Sequence, residues 1–256
     1  MTELQLQLVK GAGFAAAAAF ALLLQRRWPH ARQAGSWRIN GAVWALDVAL
    51  LGALCGACAC TAAAWAAEHQ VGVLRAFALP GWLAIAVTIV ALDGVSYAWH
   101  RANHRLHFLW RFHRVHHSDP AFTVSTAVRF HPGELLLAVP LRLAAIVLLG
   151  APVVGVVLFE AVFACANFVE HGDIALPAAV EQRLRRFLIT PGLHRLHHSQ
   201  SVTERDSNFG TICTLWDRGF GTLVDAEPGV RVHVGLAELD GPTGIGRALM
   251  MPMRRG

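Results

Sequence analysis

The chain has 256 residues, of which 55% are hydrophobic and only 15% are charged, and its mean hydropathy is +0.44. This composition excludes an ordinary soluble domain and indicates an integral membrane protein. The net charge of +5 and the pI near 9.4 are explained better by membrane topology and anionic lipid headgroups than by nucleic acid. No nucleic-acid-binding motif is present, so no nucleic-acid partner is expected.

The predicted elements are apolar helices. Three stretches are each long enough to cross a bilayer as a helix, at residues 5–24, 41–67 and 78–99. The first has no basic leader and no convincing cleavage site, so it is predicted to be a retained helix and not a signal peptide. A fourth apolar region, 135–169, is predicted to be a helical hairpin because Pro140 and the turn at 150–152 interrupt it. Its two arms could span the membrane or be re-entrant.

The basic residues predict the orientation. Four arginines lie between the first two spans, whereas the loop at 68–77 contains only Arg75. Basic loops stay in the cytoplasm, so the first loop is predicted to be cytoplasmic. Alternation of the spans then places residues 100–133 and the chain after residue 170 on the same side. The predicted fold is an all-α polytopic membrane bundle, with three clear spans, the hairpin and a cytoplasmic helical cap, in a bacterial inner membrane.

Fourteen histidines are present, and most lie in clusters. Ten have motif-like settings in HRANH, HRVHH, RFHP, EHGD and HRLHH: His100, His104, His113, His116, His117, His131, His171, His194, His197 and His198. On a helix, histidines at i, i+3 and i+4 share a face, whereas adjacent histidines diverge by about 100°. Each HxxHH motif can therefore address two neighbouring metal ions. A first-row metal takes about four to six ligands, so ten imidazoles fit two metals.

The donor type points to a particular metal chemistry. There is no HExxH motif, so a zinc-protease arrangement is absent. An all-imidazole, two-metal site beside hydrocarbon favours iron that handles O₂. Metal binding would also hold the clustered rings neutral and relieve their mutual repulsion.

Three charged residues interrupt the apolar stretches: Asp47, Arg142 and Glu160. An unpaired charge at such a position costs about 2.5 to 3.5 kcal/mol on insertion scales. Two interpretations are open. The charges pair with one another inside the membrane, or they contact a polar substrate headgroup or form a proton path.

The histidine motifs and the residues around them resemble a known family. The stretches YAWHR, LWRFHRVHHS, RFHPGE, FVEHGD, LHRLHHS and NFGTICTLWDRGFGT, within about residues 93–222, resemble the fatty acid hydroxylase/sterol desaturase superfamily of membrane di-iron oxygenases. The resemblance implies an oxidoreductase that uses two non-haem irons and O₂ to hydroxylate or desaturate a C–H bond of a membrane lipid. It also implies that the eight histidines of HxxxH and the two HxxHH motifs bind iron.

The resemblance has further implications for single residues. His131 and His171 match positions where the family has histidines, either as ligands or as hydrogen-bonding partners of ligands. Asp93 lies two helical turns before His100 on the same face and is a candidate to orient a ring. The alternative for Asp93 is a polar residue at an interhelical contact. The NFG and WDRGFGT segment is expected to pack the last HxxHH helix against the site.

The resemblance also divides the chain. Residues 1–92 are expected to be N-terminal membrane helices, 93–225 the di-iron domain with the hairpin, and 226–256 a cytoplasmic C-terminal tail. No fused electron donor is present, so electrons are expected from a separate ferredoxin-like or cytochrome b5-like protein steered to the basic face. The alternatives are a histidine-rich membrane metal transporter and a b-type haem electron carrier. Both should carry ligands in the middle of spans, where none of the ten histidines lies.

Overall fold

A computed structural model describes residues 3–55, 58–225, 232–239, 241 and 243–254. Within these ranges every regular element is a helix, and β-type pairing is limited to isolated bridges. The α-helices are α1 (Glu3–Arg27), α2 (Trp37–Cys55), α3 (Cys58–Glu68), α4 (Gly81–Arg105), α5 (His107–His117), α6 (Pro132–Leu149), α7 (Val153–Glu170), α8 (Ala178–Leu184), α9 (Pro191–His197), α10 (Val202–Arg205), α11 (Leu215–Gly219) and α12 (Ile245–Met250). Short 3₁₀ turns cover Val73–Phe77, Val124–Val128 and Met251–Met253.

Five helical stretches in the described part of the chain are long and apolar enough to cross a membrane: Gln5–Arg27, Trp37–Glu68, Gly81–Arg105, Pro132–Leu149 and Val153–Glu170. Large apolar side chains project outward from them; Leu8, Leu54 and Leu148 are more than 60% exposed. Such side chains suit a lipid environment, where helices satisfy their own backbone hydrogen bonds. The prediction of an all-α polytopic membrane bundle is confirmed.

The predicted hairpin is confirmed and consists of α6 and α7. Pro132 occupies the first turn of α6, where its missing N–H leaves no helical hydrogen bond unmade, and Gly150 ends the helix at φ 69°. The turn packs tightly on the loop after α3. A Cβ on Gly72 would come within 2.1 Å of the backbone nitrogen of Gly150, so glycine is required where these two loops cross. Pro140 lies inside α6 without ending it.

Helix α7 is central to the bundle, because it packs against α1, α3, α4 and α9. One buried apolar cluster joins α3, α4, α6 and α7 around Leu92, Ile146 and Phe159. A second joins α1 and α7 to the 3₁₀ turn at Val124–Val128. This packing brings the last turns of α4 and α7 to the same end of the bundle. Polar residues on those turns therefore meet α5 and α9, which cover that end.

The chain after residue 231 also packs on this end of the bundle, where the sequence predicts only a tail. Ser199 forms an isolated bridge with Val234, and the N–H of Gly235 donates to the carbonyl of His198. Ala248 and Met251 pack on Val115 of α5. The described C-terminal residues therefore form part of the cover over the histidine motifs.

Candidate metal centre

Nine of the ten motif histidines lie together in two groups. The five-histidine group is His100, His104, His113, His117 and His197. The four-histidine group is His116, His171, His194 and His198. In each group, every histidine contributes one ring nitrogen, and these nitrogens all lie within 4.8 Å of one another. Each group has the number of nitrogen donors that one first-row metal ion accepts.

Both HxxHH motifs are divided between the groups. In α5, His113 and His117 face the five-histidine group, whereas His116 faces the four-histidine group. At α9, His197 belongs to the first group and His198 to the second. The side chains of adjacent helical residues point in directions about 100° apart. Each of two helices packed side by side can therefore contribute histidines to both of two neighbouring metal positions. The ring centroids of His116 and His117 are 5.4 Å apart, which places the two groups side by side.

Hydrogen bonds on the outer side of the rings orient the five-histidine group. The Nδ1 atom of His100 lies 2.8 Å from the carbonyl oxygen of Phe209, and Nδ1 of His197 lies 2.7 Å from that of Ser207. An Nδ1–H donated to a carbonyl leaves the Nε2 lone pair directed inward. The Nε2 atoms of His100 and His197 are buried and have no hydrogen-bond partner among the described residues.

Glu134 orients a third ring of this group. Its Oε1 atom lies 2.8 Å from Nδ1 of His113 and accepts a hydrogen bond from Asn103 at 3.1 Å. The carboxyl is only 4% exposed. A carboxylate that accepts the remote imidazole N–H fixes the tautomer and makes the inner nitrogen a stronger donor to a metal. Asp206 lies near His104, at 3.5 Å from Nδ1.

The four-histidine group has a similar outer layer. Nδ1 of His171 lies 2.7 Å from the carbonyl oxygen of Asn167, one turn earlier at the end of α7. Its Nε2 atom lies 2.9 Å from Nε2 of His194 and 3.0 Å from Nε2 of His116. Three ring nitrogens therefore converge on one point. Glu170 lies beside the group, 3.8 Å from Nδ1 of both His171 and His194, which is beyond hydrogen-bond length.

Burial keeps these imidazoles neutral. Burial first, and then the charge of neighbouring histidines, outweigh a backbone hydrogen bond and bring the pKa of His171 and of His197 down to about 3. Burial and then the adjacent rings also hold the pKa values of His116, His117 and His198 well below their ordinary value. Neutral imidazole is the form that binds a metal, because its lone pair is free. The residues fit two transition-metal ions: the donors are neutral, buried and convergent, and several have no other partner.

The segment after Ser207 holds the backbone carbonyls that orient His100 and His197. Asn208 adopts φ 52°, and its side-chain amide donates to the carbonyls of Leu193 and Val224. Asp217 accepts the N–H groups of Phe209 and Gly210 at 2.9 and 2.8 Å. The NFG and WDRGFGT motifs are thus joined to each other and to α9 by these bonds.

Two predicted site residues are placed outside the two groups. Both ring nitrogens of His131 are engaged with backbone: Nδ1 accepts the N–H of Gly133 at 2.9 Å, and Nε2 lies 3.1 Å from the carbonyl oxygen of Leu249. His131 therefore caps α6 and joins it to α12. Asp93 is seven residues before His100, about 10 Å along the helix. It binds the loop before α11 instead of an imidazole.

The bonds of Asp93 are made about two helical turns from the ring of His100, to the segment before and within α11. Its carboxylate accepts hydrogen bonds from the backbone N–H groups of Ile212 and Cys213 at 3.2 and 3.4 Å, and from Trp216 Nε1 at 3.0 Å. The Cys213 thiol donates to the same carboxylate at 2.8 Å. Asp93 thus anchors the segment that presents Phe209, which corresponds to the interhelical alternative stated for this residue.

A cavity of about 90 Å³ lies beside the histidines, between α4, α6 and α7, and is called the inner cavity here. Its lining includes histidines of both groups: His100, His113, His116, His171 and His194. The remaining lining combines apolar side chains, including Val95, Trp99, Leu141 and Phe163, with polar ones that include Glu134, Arg142 and Glu170. A second cavity of about 470 Å³, the larger cavity, shares Phe130, Arg142 and Asn167 with it. An apolar ligand can therefore reach the histidines from within the bundle.

Glu134 and Glu170 are site residues that the sequence reasoning did not identify. Glu134 lies three residues after His131 in RFHPGE, and Glu170 directly precedes His171 in VEHGD. An acid at the first turn of a helix beside such a motif is a detectable signal. That Glu134 accepts a hydrogen bond from His113 nevertheless depends on how α5 packs on α6.

Comparison with known proteins agrees with this geometry. The fatty acid hydroxylase family model matches residues 85–222, more than half of the chain. Ornithine lipid hydroxylase OlsE of Rhizobium tropici is 34% identical over 54% of this chain and 41% of its own length. Alkylglycerol monooxygenase of Danio rerio is 30% identical over 56% of this chain and 30% of its own. Cholesterol 25-hydroxylase of Rattus norvegicus is 27% identical over 59% and 50%.

The matched part spans no more than about half the length of these relatives. No solved structure matches the chain. The family match covers α4 to α11, and so contains all nine grouped histidines and the inner cavity. The histidine motifs, the geometry of the two groups and the family match lead to one conclusion: the chain belongs to the fatty acid hydroxylase family.

Proposed function

We propose that this protein is an O₂-dependent membrane lipid hydroxylase in which each histidine group binds one non-haem iron ion. The observation that carries the proposal is the pair of adjacent, buried, all-imidazole groups beside a cavity with apolar side chains in its wall. Hydroxylation is favoured over desaturation because the relatives are named hydroxylases and monooxygenases. Their substrates differ, so the class proposed here is a membrane lipid with an alkyl or acyl chain.

Two bound irons would supply O₂ activation, by which one oxygen atom enters a C–H bond and the other leaves as water, with two electrons and two protons consumed. The protein's part is to position the lipid and exclude water. Val95, Leu141 and Phe163 give the inner cavity an apolar wall that suits a hydrocarbon chain. His100, His113 and His116 lie in the same wall, so a carbon held there is next to both groups.

Electrons are proposed to come from a separate ferredoxin-like or cytochrome b5-like donor. The end of the bundle that carries the histidines also carries Arg-rich segments, including Arg183, Arg185 and Arg186. Basic surfaces attract acidic redox partners and raise their association rates. The same arginines support a cytoplasmic position for this end, because basic segments favour the cytoplasmic side of a membrane.

The two other functions considered from the sequence receive less support. A metal transporter should carry ligands in mid-membrane, whereas the grouped histidines lie at one end of the spans. A haem carrier needs space for a macrocycle between two histidines. Here five imidazole rings surround one candidate metal position and four surround the other, and the adjoining cavity is only about 90 Å³.

The test is reconstitution of the purified protein with ferrous iron, a reduced donor and bacterial lipid extract under ¹⁸O₂. We expect a lipid product that contains one ¹⁸O atom, two irons per chain and no Soret band. Comparative lipidomics of cells with and without the gene should identify the same product. A Soret band, an iron content below one per chain, or product without ¹⁸O would refute the proposal.

A further inference from the structure

Arg142 lies deep inside the bundle at the boundary between the two cavities. It is ten residues after the start of α6 and seven before its end, so about 15 and 10 Å of helix separate it from the two ends. Its side chain lines both the inner and the larger cavity. A ligand that extends from one cavity into the other must therefore pass the guanidinium group.

The guanidinium makes no direct hydrogen bond or ion pair to the residues that the structure describes. Its carbon Cζ lies over the rings of Phe159 and Phe163, with 5.9 and 5.5 Å to the ring centroids. Stacking on aromatic faces leaves the N–H groups at the edge of the guanidinium free to donate. No hydrogen bond or ion pair of Arg142 is formed within the described ranges.

The nearby acid is already paired. Glu160 Oε2 lies 2.8 Å from Nζ of Lys10, on α1. Glu160 also acts on Arg142 through its charge, but it forms no ion pair with it. Asp47 also lines the larger cavity, but it makes no ion pair with Arg142. An unpaired cation inside a membrane bundle is costly, so one that faces a cavity indicates a ligand of opposite charge.

We infer that Arg142 is a specificity-determining residue that binds an anionic oxygen group, a carboxylate or phosphate, of an amphiphilic substrate. This inference rests on the proposed function for the identity of the reaction. The acidic group binds the guanidinium by charge-assisted hydrogen bonds, and the adjoining alkyl chain occupies the apolar wall beside the histidines. The chemistry that Arg142 recognises is the same in a free acid and in a lipid headgroup.

The experiment measures binding without turnover. Trp99 lines the inner cavity and Trp44 the larger one, so a bromine-labelled alkyl ligand should quench tryptophan fluorescence. The probes are 12-bromododecanoate, 12-bromododecyl phosphate and the uncharged 12-bromododecanol, with the iron-loaded, full-length protein in one detergent at pH 8.5. We expect the wild type to bind both anions at least about tenfold more tightly than the alcohol.

The variants separate the inference from general effects of charge. Arg142→Met should remove the preference for the anions and leave alcohol binding unchanged, and Arg142→Lys should keep part of it. Arg75→Met removes an exposed arginine of the loop before α4 and should keep the full preference. Asp47→Asn removes an acid that lines the larger cavity, and it should keep or increase the preference for the anionic probes.

Two results would overturn the inference: a wild type that does not distinguish the probes, or Arg142→Met protein that still prefers the anions. If Arg142→Met does not fold, as judged by helix content, Arg142→Lys and Arg142→Gln provide the same comparison. Failure of hydroxylation with an intact anion preference would refute the proposed function alone. Hydroxylation without any anion preference would refute the inference alone.

Discussion

Glu134 offers the sharpest test of how the outer residues support metal binding. Its carboxylate lies 2.8 Å from Nδ1 of His113 and accepts a second bond from Asn103, while buried at 4% exposure. Glu134→Gln keeps the shape of the side chain and removes its charge. Loss of such a partner costs about 10- to 100-fold in metal affinity, or about 1.4 to 2.8 kcal/mol.

The assay is iron retention. Purified wild type and variant are dialysed against increasing chelator, and iron per chain is measured by elemental analysis. Because Glu134 contacts only the five-histidine group, the variant should lose one of its two irons at a chelator concentration about 10- to 100-fold lower than the wild type. The second iron should leave at the wild-type concentration, since the four-histidine group is unchanged.

Glu170→Gln is the matched control, because Glu170 is an equally buried acid beside the other group. It lies 3.8 Å from Nδ1 of His194, too far for a hydrogen bond, so its removal should have a smaller effect on iron retention. Equal iron retention in Glu134→Gln and the wild type would refute the reasoning. A larger loss in Glu170→Gln than in Glu134→Gln would do so as well.

Three further predictions follow from single side chains. His197→Ala should abolish product formation but not membrane insertion, measured by lipidomics and by recovery in the membrane fraction; near-normal activity contradicts it. His131→Ala should keep wild-type iron content and lower the free energy of unfolding by about 1 kcal/mol, because a helix cap is lost; iron loss contradicts it. Burial and then Asp93 raise the pKa of Cys213 to about 12. At pH 9 its alkylation by iodoacetamide, followed by mass spectrometry, should be at least about 100-fold slower than in the unfolded chain.

Because the folded state raises the pKa of Cys213, this thiol also makes the free energy of unfolding depend on pH. The folded-state pKa is higher than that of an ordinary thiol, so above about pH 8.5 the unfolded chain releases this proton first. The contribution of Cys213 to stability is therefore complete below that pH and is lost as the pH rises towards 12. An alkylation rate in the native protein equal to that in the unfolded chain would contradict both statements.

Much of the bundle could be predicted from local pattern. Apolar length alone indicates the spans, because lipid requires helices with internally satisfied backbone groups. Pro140 and Gly150 correctly indicated a hairpin, although Pro140 lies within α6 and the break occurs at Gly150. The histidines at i, i+3 and i+4 could likewise be recognised as clustered donors, since their spacing places them on a few faces of short helices.

The assignment of single residues depended on contacts between distant segments. His131 and His171 could not be distinguished from the sequence. In the structure, the N–H of Gly133 in α6 occupies Nδ1 of His131 and the Leu249 carbonyl of α12 occupies its Nε2, whereas His171 faces the four-histidine group. The sequence left two roles open for Asp93, to orient a ring or to form an interhelical polar contact, and its hydrogen bonds go to the segment before and within α11. Residues 226–256 were predicted to be a cytoplasmic tail, and the sequence did not indicate that Ala248 and Met251 pack on Val115 of α5.

The sequence by itself determined the donor type, the number of imidazoles and the apolar length of the helices, because these depend only on residue identity and local spacing. Tertiary structure alone decided which histidine of each HxxHH motif belongs to which group, and that Glu134 supports His113. It also decided that Arg142 faces both cavities. Those properties depend on the angle and depth at which helices pack. Helix packing is set by contacts between residues far apart in the chain, which no local pattern contains.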